Sequence, residues 1–172
     1  MGYFITGATL NKQNLTEDGM YVALNNQLYM DDDGTIYLCP RGQVYDGYTI
    51  PRILAPIAGG HFTWDLRCCR EHDLNCLTHQ EIIVNLSLTQ IKSKGYLYTY
   101  ENETYCYDIP KEFLTVRNVS FNKTNSKFKR MMKSTSLPSW RVSMMRLAVN
   151  FNIGWLFSGK NKDKINLDKI YS

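Results

Sequence analysis

The sequence lacks a long hydrophobic run, and it lacks the apolar N-terminal segment that directs a protein to secretion. The apolar stretch near the C-terminus is interrupted by Arg146, Asn150 and Asn152, which leaves it too short to cross a bilayer. We therefore expect no membrane span. A disulfide framework is not expected either, because an odd number of cysteines without a secretion signal fits a reducing compartment better. The five cysteines are Cys39, Cys68, Cys69, Cys76 and Cys106.

The chain also lacks a strong excess of either charge. It has 20 Lys and Arg residues against 16 Asp and Glu residues, a formal net charge of +4. A net charge this small is more typical of an ordinary soluble domain than of a nucleic-acid binder. We therefore expect no specific nucleic-acid recognition. With 172 residues the chain has the size of one domain that folds without disulfide staples.

The first third of the chain has the pattern of short strands. Residues 3–52 alternate polar and apolar positions between turn signals such as Asp18-Gly19, Asp33-Gly34 and Asp46-Gly47. This pattern predicts an antiparallel β-meander. Residues 96–107 contain several Tyr around a short turn and predict a Tyr-rich hairpin. Helix and strand are hard to separate in the apolar residues between 80 and 92.

Helical patterns follow the strands. They run from Thr63 to about Thr78, from Asn125 to Lys133, and from Ser139 to about Phe157. Because strands and helices are segregated, we predict an α+β fold in which the meander packs on the central helix and on the C-terminal helix pair. We expect one domain over residues 1–158, with 79–122 as an insertion that carries the hairpin. Residues 159–172 are expected to form a charged tail.

The central helix carries a Cys-Cys-x-x-His-Asp-x-x-Cys string over residues 68–76. Cys and His are ligands that zinc prefers, but four ligands cannot converge from one straight helix. Cys39, Cys106 or Asp46 would have to complete such a site. We favour the simpler interpretation that the three helix cysteines are small buried apolar residues.

The same string is similar to the active-site helix of secreted phospholipase A2. That resemblance implies that His72 activates water and that Asp73 holds calcium. The phospholipases also have a Gly-rich calcium loop and many disulfides, whereas here Gly59-Gly60 is followed by His61-Phe62-Thr63-Trp64 and there are five cysteines. We interpret the similarity as coincidental.

A second resemblance covers more of the chain. The segment Asp46-Gly47-Tyr48-Thr49-Ile50-Pro51-Arg52 and the later His72-Asp73 resemble the signature of a small phage-associated family named domain of unknown function 1353. Its closing helices resemble the region around Asn125, Leu137-Pro138 and Trp140-Arg141. The resemblance covers about residues 45–76 and 123–157, and it implies a phage or prophage gene without a settled activity.

The resemblance also nominates site residues. It implies catalytic roles for His72, Asp73 and Asp46, and Asp46 with Asp73 would hold a calcium or zinc ion if the chain is a hydrolase. Thr49 replaces the family's Ser and Asn125 its late Asp, and these two residues with Arg52 are candidate binding residues. The loss of one carboxylate lowers the charge available for a cation or an imidazole.

The alternative interpretation of these residues is structural. Asp46 can cap its own turn together with Thr49, and His72 can bond a backbone carbonyl while Asp73 pairs with Arg52 or Arg70. In either case a buried imidazole needs a polar partner. We predict that an Asp46 carboxylate oxygen lies within direct or single-water hydrogen-bonding reach of His72.

Two functions follow as hypotheses. The first is a non-enzymatic structural or accessory protein of a phage virion, of the tail or neck type, present in the host cytoplasm before assembly. Its hairpin and tail would contact other virion proteins, because Tyr buries area while it keeps a polar tip, and no cofactor is expected. The second is a hydrolase that uses His72 and a divalent cation on a lipid or cell-envelope substrate.

Overall fold

The computed structural model describes residues 2–7, 21–45, 67–135, 137–140, 142–143 and 164–170. The fold is α+β, as the sequence predicts. The helices are α1 (Arg67–Thr78), α2 (Leu88–Ser93) and α3 (Phe121–Lys133). The strands are β1 (Tyr3–Phe4), β2 (Tyr21–Val22), β3 (Gln27–Met30), β4 (Ile36–Cys39), β5 (Val44–Tyr45), β6 (Gln80–Val84), β7 (Leu97–Tyr100), β8 (Glu103–Cys106) and β9 (Leu114–Asn118).

Five antiparallel strands form the main sheet in the order β1-β3-β4-β6-β9. The turn predicted at Asp33-Gly34 joins β3 to β4, and Gly34 has a φ of +83°, which strains any residue with a side chain. Strand β2 is not part of this sheet but pairs with β5 in a second, two-stranded sheet. There the ring of Tyr21 stacks on the ring of Tyr45 at a centroid distance of 5.5 Å. The N-terminal strands are therefore divided between two sheets and do not form one meander.

Residues 79–122, expected to be an insertion with a hairpin, contribute two strands to the main sheet. β6 pairs with β4 on one side and with β9 on the other. The region around residues 80–92 holds both a strand and a helix, since β6 is followed by α2. Ser87 and Gln90 form a capping box that starts α2. The hairpin β7–β8 lies where the Tyr pattern predicts it.

Both faces of the main sheet are covered. Tyr29 and Tyr37 belong to one buried cluster, with Cys68 and Cys69 of α1 and Phe128 of α3. Neighbouring residues on the same strands point the other way, and Leu28, Leu38 and Ile82 lie in a second buried cluster. The alternation follows from the period of two along a strand. Helices α1 and α3 are thus held side by side on one face.

Helix α3 begins at Phe121, four residues before the predicted Asn125, because the Ser120 side chain accepts a hydrogen bond from Lys123 N and caps the helix. The structure describes the first residues of the predicted second C-terminal helix. Ser139, Trp140, Val142 and Ser143 are helical, and the remainder lies outside the described residues.

Part of the expected tail packs on the domain itself. The backbone N–H of Ile165 donates to Gln80 Oε1 at 2.8 Å, and Lys111 Nζ lies 2.6 Å from Asp168 Oδ1. Ile165, Leu167 and Ile170 pack against the second buried cluster. These apolar side chains explain why residues 164–170 lie on their own domain. No helix within the described ranges is long and apolar enough to span a membrane.

Candidate functional site

The candidate site is built on His72, in the middle of α1. The imidazole is 8% exposed, and its ring lies 4.4 Å from the ring of Phe128 on α3. Much of this helix is buried: Cys69, one turn earlier, is buried and Cys76, one turn later, is half-buried. His72 therefore stands at the contact between the two helices.

Three candidate side chains meet at this imidazole. Nε2 of His72 lies 3.3 Å from Oδ1 of Asn125, and Nδ1 lies 3.6 Å from Oδ1 of Asp73. The Sγ atom of Cys76 lies 3.5 Å from Nε2. The structure thus gives His72 the side-chain amide of Asn125 as a partner, where the structural interpretation expected a backbone carbonyl.

The surroundings of His72 determine its charge. Burial alone would lower the pKa of the imidazole, but hydrogen bonds to Asp73 and Cys76 and the charge of these neighbours outweigh burial and raise the pKa to about 10. The raised pKa favours the imidazolium form at neutral pH, in which both ring nitrogens carry protons. In that form the ring can donate to the Asn125 oxygen and pair with the Asp73 carboxylate, and it has to lose a proton before it acts as a general base.

The other predicted site residues, Asp46, Thr49 and Arg52, lie outside the described residues. The predicted contact between Asp46 and His72 consequently stays a prediction. Among the residues that the structure does describe, no group of three or more His, Cys, Asp or Glu side chains is placed to hold a metal ion.

All five cysteines are free thiols. Burial raises the pKa of Cys39 to about 12, and that of Cys106 also to about 12. Both thiols are protonated at neutral pH. Of the three helix cysteines, Cys68 and Cys69 are buried, in agreement with their interpretation as small apolar residues, whereas Cys76 is half-buried with its Sγ atom beside the His72 ring.

A buried ion cluster lies beside this site and is not apparent from the motifs. Lys127 Nζ, on α3, lies 2.7 Å from Oε1 of Glu71 and 2.7 Å from Oε2 of Glu81. It also lies 3.9 Å from the ring centroid of Tyr37. In the amide orientation that satisfies both of its groups, Asn75 accepts from Lys127 Nζ at 2.9 Å. The three charged side chains are each at most 3% exposed.

The sequence did carry a signal for this cluster. Thr124, Lys127, Phe128 and Met131 share the inner stripe of α3, so Lys127 falls among apolar positions. Burial would lower the pKa of Lys127, but the two glutamates outweigh it and hold the pKa above its ordinary value. Lys127 is therefore a buried cation.

No family model, curated protein or solved structure matches this chain. The resemblance to the phage-associated family, and the functions that it implies, therefore rest on the sequence motifs.

Proposed function

We propose that this chain is a non-enzymatic structural or accessory protein of a bacteriophage particle and that it contacts partner subunits through the hairpin β7–β8. The observation that carries this proposal is a stack of tyrosines on that hairpin. Tyr98 stacks on Tyr105 at 5.4 Å and on Tyr107 at 4.3 Å. Tyr100 is 61% exposed and Tyr107 is 55% exposed.

The hairpin has the properties of a preformed contact surface. Asn26 bridges to Cys106 and donates to Asp108 Oδ1 at 3.0 Å, while Arg41 makes two hydrogen bonds to the same carboxylate. Thr104 O accepts from Gly7 N at 2.7 Å. Because the hairpin is fixed at its base, its tyrosines lose little conformational freedom when a partner binds.

The chemistry of the His72 site supports the non-enzymatic part of the proposal. The imidazolium links α1 to α3 through Asn125 and is packed against Phe128, which is a structural role. Its raised pKa disfavours the neutral imidazole that would accept a proton at neutral pH. The phage context rests on the motif resemblance over residues 45–76 and 123–157.

The hydrolase is the second candidate. One observation favours it: Asp73 lies beside Nδ1 of His72, as the orienting carboxylate of a His base does. In this alternative Asp46 joins Asp73 around a calcium or zinc ion, and His72 must lose its proton.

The experiment measures how much of the chain is incorporated into particles of the phage that encodes it. Particles assembled with the tagged chain are purified by density gradient, and the tag is quantified. The double variant Tyr100→Ser with Tyr107→Ser is compared with Tyr3→Ser, which changes a tyrosine 42% exposed on β1. We expect the double variant to lower incorporation at least about tenfold, since exposed tyrosines are typical interface anchors. Particles without the chain, or equal incorporation of both variants, would contradict the proposal.

A further inference from the structure

A surface cavity of about 420 Å³ opens between helix α3, the β3–β4 turn and the strands β6 and β9. It lies outside the His72 site. Nearly every side chain in it is polar or charged. The lining residues are Asp31, Asp33, Tyr37, Glu81, Arg117, Asn122, Lys123, Ser126, Lys127 and Arg130.

Two of the three carboxylates of this cavity, Glu81 and Asp31, are buried and already paired. Glu81 is 3% exposed, and Arg117 donates to its Oε1 through Nε at 2.8 Å and through a terminal nitrogen at 2.6 Å. Lys127 holds the other oxygen of Glu81. Asp31 is 5% exposed and accepts two hydrogen bonds from Arg130. The charges of Glu81 and Asp31 are therefore neutralised inside the cavity, whereas the third carboxylate, Asp33, is exposed on the β3–β4 turn.

The cations lie towards the solvent. The side chain of Arg117 is 50% exposed and that of Arg130 is 40% exposed, although each guanidinium holds a buried carboxylate. Lys123 is exposed in the first turn of α3, where the helix dipole adds partial positive charge. Towards the solvent, the cavity thus presents the three cations Arg117, Lys123 and Arg130 against one exposed carboxylate, Asp33. The fourth lining cation, Lys127, is buried and paired with Glu71 and Glu81.

The two arginines are fixed before any ligand arrives. The two oxygens of Asp31 accept from Nε and one terminal nitrogen of Arg130, and Arg117 is held by Glu81. A guanidinium has five N–H donors, so an arginine held in this way by a carboxylate can still present donors to an oxyanion. Fixed donors on a concave surface cost little conformational entropy on binding.

We propose that this cavity binds a small molecule that carries a phosphate monoester. Arg117, Arg130 and Lys123 contact the phosphate oxygens, and the neutral side chains Asn122 and Ser126 hydrogen-bond the polar organic part. The volume is within the range of small-molecule sites and exceeds what a bare phosphate fills. A concave cavity of this size favours a compact phosphorylated ligand over a nucleic-acid strand, which would need a longer positive groove.

The test is calorimetric titration of the full chain with glucose 6-phosphate, inorganic phosphate and glucose at constant ionic strength. We expect glucose 6-phosphate to bind more tightly than inorganic phosphate and glucose not to bind. A short single-stranded oligonucleotide without terminal phosphates is the fourth probe. Tighter binding of this oligonucleotide than of glucose 6-phosphate would overturn the proposal, as would no binding of either phosphate below about 10 mM.

Two single-residue variants test whether the ligand binds in this cavity. Lys123→Gln should weaken glucose 6-phosphate binding about threefold, and Arg117→Gln about tenfold, because hydrogen bonds between charged groups are worth more than neutral ones. Both variants keep a cation on every buried carboxylate, since Glu81 retains Lys127. The matched control is Lys133→Gln, an exposed lysine of the same helix outside the cavity, and binding should not change. Equal weakening by the control and by Lys123→Gln would show non-specific attraction and contradict the site.

Discussion

The His72 ring nitrogen Nε2 lies 3.3 Å from the side-chain oxygen of Asn125, so that one polar contact links the middle of α1 to the first turns of α3. In the family that the motifs resemble, this position is an Asp. With an amide here, the imidazolium keeps a hydrogen-bond acceptor but has Asp73 as its carboxylate neighbour. This relationship underlies the first two predictions.

Removal of the amide should destabilise the domain. In Asn125→Ala the buried Nε2–H of His72 loses its acceptor, and we expect the free energy of unfolding to fall by about 1–3 kcal/mol. The matched control is Asn122→Ala, at an exposed position one turn earlier on α3. This variant should change the free energy of unfolding by less than about 0.5 kcal/mol. Urea unfolding of the three proteins measures both effects. Equal stability of wild type and Asn125→Ala would show that the contact is not stabilising.

Stability should depend on pH through His72. The folded pKa, about 10, is higher than the ordinary value of 6.5. The contribution is therefore full below about pH 6.5 and is lost as the pH rises towards 10. Between pH 6.5 and 8.5 we expect the free energy of unfolding to fall more steeply in wild type than in His72→Gln. Parallel pH profiles for the two proteins would contradict the raised pKa.

The buried lysine should be costly to remove alone. Lys127→Met leaves Glu71 buried without its cation, and we expect the free energy of unfolding to fall by about 3–5 kcal/mol. Adding Glu71→Gln removes the uncompensated charge and should restore part of that loss. Lys123→Met, exposed on the same helix, is the control. Thermal unfolding with Lys127→Met as stable as this control would mean that the buried ion cluster does not form.

The C-terminal segment should stabilise the domain. Deletion of residues 164–172 removes the contacts of Ile165, Leu167 and Ile170 with the second buried cluster. We expect the free energy of unfolding to fall by about 2 kcal/mol. Asp168→Ala breaks only an exposed ion pair with Lys111 and should leave the unfolding temperature unchanged. If the deletion leaves it unchanged as well, the segment does not stabilise the domain.

Local patterns were sufficient for several parts of the fold. The Asp33-Gly34 turn, the Tyr-rich hairpin and the helix that carries His72 follow from turn chemistry and from periodicity, which act between near neighbours. The pairing of His72 with Asp73 and its proximity to Asn125 also agree with residues that the motifs nominated.

The remainder depends on contacts between distant residues. Strand β6 pairs with residues of β4 that lie 46–48 positions earlier and with residues of β9 that lie 30–38 positions later, and no local pattern specifies these pairings. The position of Lys127 on the inner stripe of α3 indicates its burial, but its pairing with Glu71 and Glu81 depends on where those two residues lie in the fold. The docking of residues 164–170 was missed since a charged segment gives little indication of an intramolecular site.

The central claim is that His72 is a structural imidazolium and not a catalytic base. Nitrogen-detected NMR of the imidazole ring, from about pH 5 to about pH 9, tests it most directly, with His72→Gln to assign the resonance among three histidines. The account predicts that His72 keeps the shifts of a doubly protonated ring up to about pH 9. A titration midpoint near 6.5, the ordinary histidine value, would contradict it and favour the hydrolase instead.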